Sequence, residues 1–418
     1  VIDVDEIFVA KGDEISPKDY VVAEYYIESN LPLLKAGIEI AKEESIGTWT
    51  KVYTLTESAK RLAGKVFKVD EEVRKVWVAF PVELFDIEYG GVSNILSIVA
   101  GNLFGLSKLE NVRLLDIHIP EKICKKFPGP RFGIENIRKL IGTNREKRPH
   151  IGTIIKPKVG LNPDETAKVA YEVAIGGIDF IKDDETLVNQ KFCPLEERVS
   201  KVMEALDKAR EETGRQVLYA VNVSASTPYT LIELVDQALE NGANMLMIDA
   251  VVTGIPMLQM LAEDPMINVP IHVHRAMHAA FTRNKRHGIR MVVLAKLIRL
   301  AGGDQLHVGT AGIGKMEADV RETLDARDAL LKDINGIRKT FPVASGGLHP
   351  GLIPSLLKVF GVDAVFQFGG GCHGHPDGPR AGALAIRQAI EACMRGISLK
   401  EYAETHPELR KALETWSS

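Results

Sequence analysis

From Ile151 onward the sequence repeats one pattern eight times: a short apolar run followed by a longer stretch, often charged, with helical periodicity. The runs are Gly152 to Lys156, Phe180 to Asp184, Leu218 to Val223, Met245 to Ala250, Ile271 to His274, Gln305 to Gly309, Phe341 to Ser345 and Val365 to Gly369. Charged helical segments such as Glu196 to Thr213 and Met316 to Thr340 lie between them. Eight strand-helix units in succession predict a closed (β/α)8 TIM barrel rather than an open sheet. A last stretch opens on Ser398 and Glu401, at capping-box spacing, and reads as one helix toward Trp416 that closes the structure without carrying chemistry.

The first third has a different texture. Val21 to Ile27, Lys75 to Phe85 and Val112 to Ile119 read as strands, while Leu34, Ile38 and Ala41 recur at helical spacing and Val92 to Leu103 reads as a helix ending at Gly105. Two helices on an antiparallel sheet make an α+β, ferredoxin-like domain over residues 1–126. The barrel with its helical extension then takes residues 127–418, entered through a connection from Pro128 to Pro149 that includes a short helix.

Composition narrows the function. With 45% hydrophobic and 26% charged residues, the 418-residue chain reads as soluble and globular. Its 52 Lys+Arg against 56 Asp+Glu leave no basic footprint for nucleic acid or an anionic membrane. No run reaches the ~18 apolar residues of a membrane span, and Val1 to Ile7 carries three acids and no basic run, so the expected location is the cytoplasm. Cys124, Cys193, Cys372 and Cys393 are widely spaced, which predicts reduced thiols rather than a zinc site or disulfides. Small molecules are the expected ligands.

A TIM barrel builds its active site at the C-terminal ends of its strands. The first run ends in Lys156-Pro157-Lys158, two ammonium groups on one side of an extended chain, although an isolated Lys-Pro-Lys also describes an exposed basic turn. The second ends in Lys182-Asp183-Asp184-Glu185. Alternation sends Lys182 and Asp184 to the same face, with Glu185 able to join them, a donor set suited to a hard cation such as Mg²⁺. A lysine ammonium is a poor ligand, but its neutral amine can take up CO2 to give an anionic carbamate that supplies the missing oxygen. A salt-bridged cluster is the plainer alternative. The fifth run offers His272, His274, Arg275 and His278, imidazoles for proton transfer and a guanidinium fork for phosphate. After the sixth come His307 and the glycine-rich segment Gly309 to Lys315, which describes a hinged loop able to deliver a cation. Ser345-Gly346-Gly347 and Gly369-Gly370-Gly371 follow the seventh and eighth, where this fold usually binds phosphate, though tight turns use glycine too. With Arg275 and His307 implying a second anion site, the inferred ligand is a bisphosphate.

In order and spacing, Gly-Thr-Ile-Ile-Lys-Pro-Lys, Phe-Ile-Lys-Asp-Asp-Glu, His-Val-His-Arg-Ala-Met-His, Ser-Gly-Gly-Leu-His and Gln-Phe-Gly-Gly-Gly-Cys-His-Gly-His-Pro resemble the active-site segments of the ribulose-1,5-bisphosphate carboxylase/oxygenase (RuBisCO) large subunit. The likeness extends through Glu43 to Thr50 and Gly101 to Gly105 and covers nearly the whole chain. The segment His307 to Lys315, the chain length and Asp377-Gly378-Pro379 are similar to the archaeal form III branch.

The resemblance implies a carbamate on Lys182, with Asp184 and Glu185 completing the protein ligands of Mg²⁺. It implies Lys156 as acid/base with Lys158 beside it, Lys315 closing over CO2 and pairing with Glu43, His274 assisting at C3, and Asn102 on the substrate near the metal. Thr48, Trp49, Gly347, Gly369 and Gly370 would bind one phosphate, with Gly346 and Gln367 in the same substrate-binding segments. Arg275, His307 and Ser345 would hold the other end. Because Glu43 and Asn102 come from the partner's N-terminal domain in this family, the implied unit is a homodimer with shared sites, open to higher assembly and without a small subunit. The implied reaction joins ribulose 1,5-bisphosphate with CO2, or O2 as a side reaction, and the form III likeness implies AMP salvage. Ile154, Thr186 and a loop one residue longer depart from the plant-type pattern without removing a group the mechanism needs. The alternative is a RuBisCO-like phosphoketose enolase or isomerase that keeps the Mg²⁺ site and fixes no CO2.

Overall fold

The computed structural model describes residues 4–314 and 319–416. The described residues form two compact units, the first drawn from the chain up to Gly129 with Met277–Ala301 and Asp333–Ile337, the second from the remainder.

In the first unit, β1 (Tyr20–Glu28), β2 (Lys65–Asp70), β3 (Lys75–Pro81) and β4 (Asn111–His118) lie in the order β4-β1-β3-β2 with antiparallel neighbours. This order is that of the ferredoxin-like class expected from the sequence. Along β1, Val21, Ala23, Tyr25 and Ile27 are buried and the residues between them are not, the alternation of a strand with one covered face. Helix Leu33–Ala41 covers β2 and β3, and Gly37 lets it close in, since a Cβ there would lie 2.9 Å from Val76. The end of helix Gly91–Val99 is tied to β1 by Tyr25 Oη, which donates to the Val99 carbonyl at 2.5 Å. Strand β2 is absent from the sequence expectation, because its sequence, Lys-Val-Phe-Lys-Val-Asp, is half charged and largely uncovered. A two-residue strand, β10 (Gly288–Ile289), adds parallel to β4.

The second unit is a closed parallel barrel of β5 (His150–Ile154), β6 (Phe180–Lys182), β7 (Leu218–Asn222), β8 (Met245–Asp249), β9 (Ile271–His274), β11 (Gln305–His307), β12 (Phe341–Ser345) and β13 (Val365–Phe368). All eight expected strands are present. Phe180, Leu218, Met245 and Phe341 at the strand starts pack with Ile134 and Ile137 of helix Gly133–Ile141, which closes the N-terminal end of the barrel. Ala220, Met247, Val343 and Val365 continue the same cluster. Above them six of the eight strands end in a polar residue, so an apolar plug supports a polar rim.

Two helical expectations change. The C-terminal stretch is two helices, Leu399–Ala403 and Pro407–Trp416, because Pro407 has no amide hydrogen and disfavours helical backbone before it. Ser398 caps the first as expected, its Oγ accepting from the Glu401 amide at 3.2 Å. Of Met316 to Thr340, the helix is Val320–Leu331, and residues 316–318 lie outside the described residues. No helix among the described residues is long and apolar enough to cross a membrane, and the four cysteines are unpaired.

Candidate active site

Within the second unit, a pocket of about 500 Å³ opens at the C-terminal end of the barrel, lined in part by Lys156, Lys182, Asp184, Glu185, His274, His307 and Ser345. Gly346, Gly347, Gly369 and Gly370 line it as well. Most of the sequence-derived barrel set thus lines one cavity, while Lys158, Arg275 and Gln367 are not among its lining residues.

Lys182 ends β6 with only 1% of its surface exposed. Its Nζ donates to the Asp183 carbonyl at 2.7 Å and lies 3.5 Å from Glu185 Oε2. Burial pushes its pKa down, against the pull of Glu185, Asp184 and Asp249 toward the charged form. Burial thus makes the ammonium costlier, and the neutral amine more accessible, than in water. Asp184 receives the two lysines of the preceding strand end, Lys156 at 3.7 Å and Lys158 at 3.8 Å, and accepts from the Thr186 amide and hydroxyl at 3.0 and 2.7 Å. Asp183 points the other way, as alternation requires. It is buried against Arg198, whose Nη2 lies 3.2 Å from Asp183 Oδ2, and accepts a short hydrogen bond from Tyr219. This outer network holds the strand end from behind. Asn222 adds a second brace by donating to the Glu185 carbonyl at 3.0 Å.

The donor set fits a hard cation once Lys182 is modified. Asp184 and Glu185 alone bring two carboxylates, and a carbamate on the buried amine would add a third anionic oxygen donor. The cluster of His, Asp or Glu that does meet metal-ligand spacing among the described residues, Glu24, Asp116 and His118, sits in the first unit, where Lys75 and Lys296 already neutralise its carboxylates.

On the opposite side of the pocket, His274 Nε2 lies 3.6 Å from Glu185 Oε2, and its Nδ1 accepts from the Ala276 amide at 3.1 Å. Behind it runs a row of close hydrogen bonds: Gln305 to His272 at 2.8 Å, His272 to His307 at 2.9 Å and His307 to Ser345 at 2.9 Å. Burial drives the pKa of both His272 and His307 well below the ordinary histidine value. Both ring nitrogens of His307 are engaged, so a direct hydrogen bond from it to a phosphate requires breaking one of these contacts. Burial also pulls Arg275 down, to about 10. Its Nη2 sits 3.1 Å from where a Cβ on Gly309 would stand, so that glycine leaves room for the guanidinium. Gly369 does the same for Lys156, whose Cε would lie 3.3 Å from an added Cβ. Gln367, 1% exposed, has neither amide atom hydrogen-bonded. A ligand that reaches it would satisfy a costly buried group.

Several site residues escape sequence reasoning. Asp249 Oδ1 lies 3.9 Å from His274 Nδ1 and accepts no hydrogen bond, and burial raises the Asp249 pKa to about 7. Its position as the last residue of a barrel strand is the signal that marks it. Trp416 lines the pocket stacked on His349, with ring centroids 6.0 Å apart, so the C-terminal helix contributes to the pocket wall. No pattern near residue 416 announces this.

The remaining expected residues belong to the first unit. Asn102 Nδ2 donates to Glu43 Oε1 at 3.2 Å, and neighbouring Glu44 accepts from the Leu103 amide at 3.0 Å, its pKa raised to about 7 by burial. Thr48 Oγ1 bonds the Thr50 carbonyl at 2.7 Å, and Trp49 is 88% exposed. A wide helical turn over Lys42–Ile46, ended by Gly47 at φ 72°, presents this segment. Lys315 lies outside the described residues.

Comparison with known proteins matches residues 133–416 to the family model "ribulose bisphosphate carboxylase large chain, catalytic domain" and residues 11–123 to the corresponding N-terminal domain. A ribulose bisphosphate carboxylase of Pyrococcus furiosus is 45% identical over 96% of this chain and 94% of its own. One of Methanosarcina mazei is 44% identical over 96% and 97%. Among solved structures, the octameric Rubisco of Pyrococcus horikoshii, in complex with sulfate ion, superposes with TM-score 0.93 at 43% identity, covering 99% of this chain and 97% of that one. The dimeric archaeal Rubisco of Hyperthermus butylicus gives 0.90 at 40%, covering 99% of both chains.

Proposed function

The chain belongs to the ribulose bisphosphate carboxylase large-chain family, and from that premise we propose that it is a ribulose-bisphosphate carboxylase. The substrate would be ribulose 1,5-bisphosphate, enolised by loss of the C3 proton. The enediolate attacks CO2, water adds at C3, and the C2–C3 bond breaks to give two molecules of 3-phosphoglycerate. Addition of O2 is the side reaction.

One observation carries this reading: a fully buried lysine with a lowered pKa beside two carboxylates, facing two further lysines across Asp184. Its neutral amine is the form that forms a bond to CO2, losing a proton to leave a carbamate. Lys182 so modified, with Asp184 and Glu185, would hold Mg²⁺. Together, ion and carbamate would supply positive charge for the developing enediolate and a base for the C3 proton.

The chain's own residues do the rest. Lys156 holds an ammonium over the reacting carbons as acid/base, and Lys158 adds charge beside it. His274, with Nδ1 occupied by an amide, presents Nε2 for proton transfer at C3. Gly346, Gly347, Gly369 and Gly370 let backbone approach one phosphate with Thr48 and Trp49, while Arg275, with His307 and Ser345, takes the other end and Gln367 bonds the substrate between. Lys315 would close over CO2 and pair with Glu43, and Asn102 would contact the substrate near the metal. Glu43 and Asn102 reach the site from a partner subunit, so the working unit is a homodimer, alone or in a higher assembly, without a small subunit. Residues 1–126 and 127–418 are its two domains, and nucleotide (AMP) salvage in the cytoplasm is its setting.

Incorporation of labelled CO2 into acid-stable 3-phosphoglycerate tests this, after preincubation with Mg²⁺ and bicarbonate and beside a Lys182→Ala control. Label in the native enzyme alone supports the reading. Proton exchange at C3 without label replaces it with the enolase alternative.

A further inference from the structure

We infer that Gln305 is a positioning residue that sets the direction of the hydrogen-bonded row Gln305–His272–His307–Ser345, making Ser345 a hydrogen-bond acceptor toward the pocket. The inference deepens the proposed function and rests on its assignment of Ser345 to the substrate.

The argument is a count of protons. His272 and His307 are 0% and 3% exposed, and burial disfavours a charge on either ring. A neutral imidazole carries one N–H, so a ring bonded at both nitrogens donates once and accepts once. The two rings meet Nε2 to Nε2 at 2.9 Å, and one of them must donate there. The choice is made at the far end. Gln305 turns its carboxamide oxygen to His272 Nδ1 at 2.8 Å, which places the His272 proton on Nδ1 and leaves its Nε2 bare. His307 therefore donates from Nε2, its Nδ1 is bare, and the Ser345 hydroxyl gives its proton to that nitrogen across 2.9 Å. The single Ser345 proton is thus spent away from the pocket. What remains on Oγ are lone pairs, which accept from a sugar hydroxyl and repel a phosphate oxygen.

Turning the Gln305 amide over would present its NH₂ to His272 and reverse each bond in the row. Ser345 would then aim its proton into the pocket and favour a carbonyl or phosphate. Both directions use the same heavy-atom positions, so the side chain at 305 selects between them. Adjacency of β9 and β11, with Gln305 opposite His272, makes the selection possible.

Neutron diffraction from hydrogen-deuterium-exchanged crystals of the intact enzyme, without substrate, reads the direction. Deuterons on His272 Nδ1 and His307 Nε2 are expected, and a deuteron on His307 Nδ1 with none on His272 Nδ1 overturns the inference whatever the activity. Kinetics give a second test. Gln305→Leu should raise KM for the sugar bisphosphate about tenfold with kcat changed less than about threefold, the scale of one hydrogen bond. An unchanged KM in Gln305→Leu also overturns it.

Discussion

The two sides of the pocket are held in different ways. On the β5–β6 side the charged groups stand apart: Lys156 and Lys158 are 3.7 and 3.8 Å from the Asp184 carboxylate that they face. On the β9–β11–β12 side the neutral row is joined at 2.8 to 2.9 Å. Loose ion pairs gain little from one another and leave carboxylate oxygens available to a cation. A closed row of buried hydrogen bonds is already satisfied and resists rearrangement. The charged side is therefore organised for something to be added, and the neutral side to position what arrives.

The sharpest way to break this contrast is to remove one group from each side. Asp184→Asn keeps an acceptor for Thr186 but deletes the charge. Carboxylation should fall by about a thousandfold or more, while the apparent Tm moves by only a degree or two. His272→Leu should do the reverse. Gln305 and His307 each lose a buried partner, at about 1–3 kcal/mol apiece, so urea denaturation should show the larger loss there. Equal destabilisation by the two variants would erase the distinction.

Activation offers a subtler test. Because burial lowers the Lys182 pKa, the neutral amine that CO2 requires becomes more abundant as pH rises, with a midpoint below the ordinary lysine value of 10.5. Preincubating with Mg²⁺ and bicarbonate across a pH series, then assaying at one fixed pH, should show activation rising with preincubation pH. A flat profile would mean that the amine's protonation does not limit the step. The smallest effect is expected at the rim, where Trp416→Ala removes the ring stacked on His349 and should raise KM a few-fold, about 1 kcal/mol, leaving kcat close to native.

Much of this arrangement is legible in the chain. The barrel strands are apolar runs because both their faces are covered, and six of the eight end in a polar residue because the rim is where solvent and ligand reach. Strand alternation is local, so it correctly turns Lys182 and Asp184 inward and Asp183 outward. Local order could not reveal β2, whose charged positions hide its pairing with β3, whereas the break at Pro407 is a local proline signal that the single-helix expectation passes over. It also leaves Trp416 unmarked, whereas Asp249 and Asn222 carry the signal of closing a barrel strand. What the sequence by itself determined is the succession of elements and the chemical inventory at each strand end, since both depend on near neighbours. Only the tertiary structure decided that Asn222 braces Glu185, that Trp416 lines the pocket and that Gln305 faces His272, because those contacts join residues 33 to 67 or more positions apart and exist only once the barrel closes.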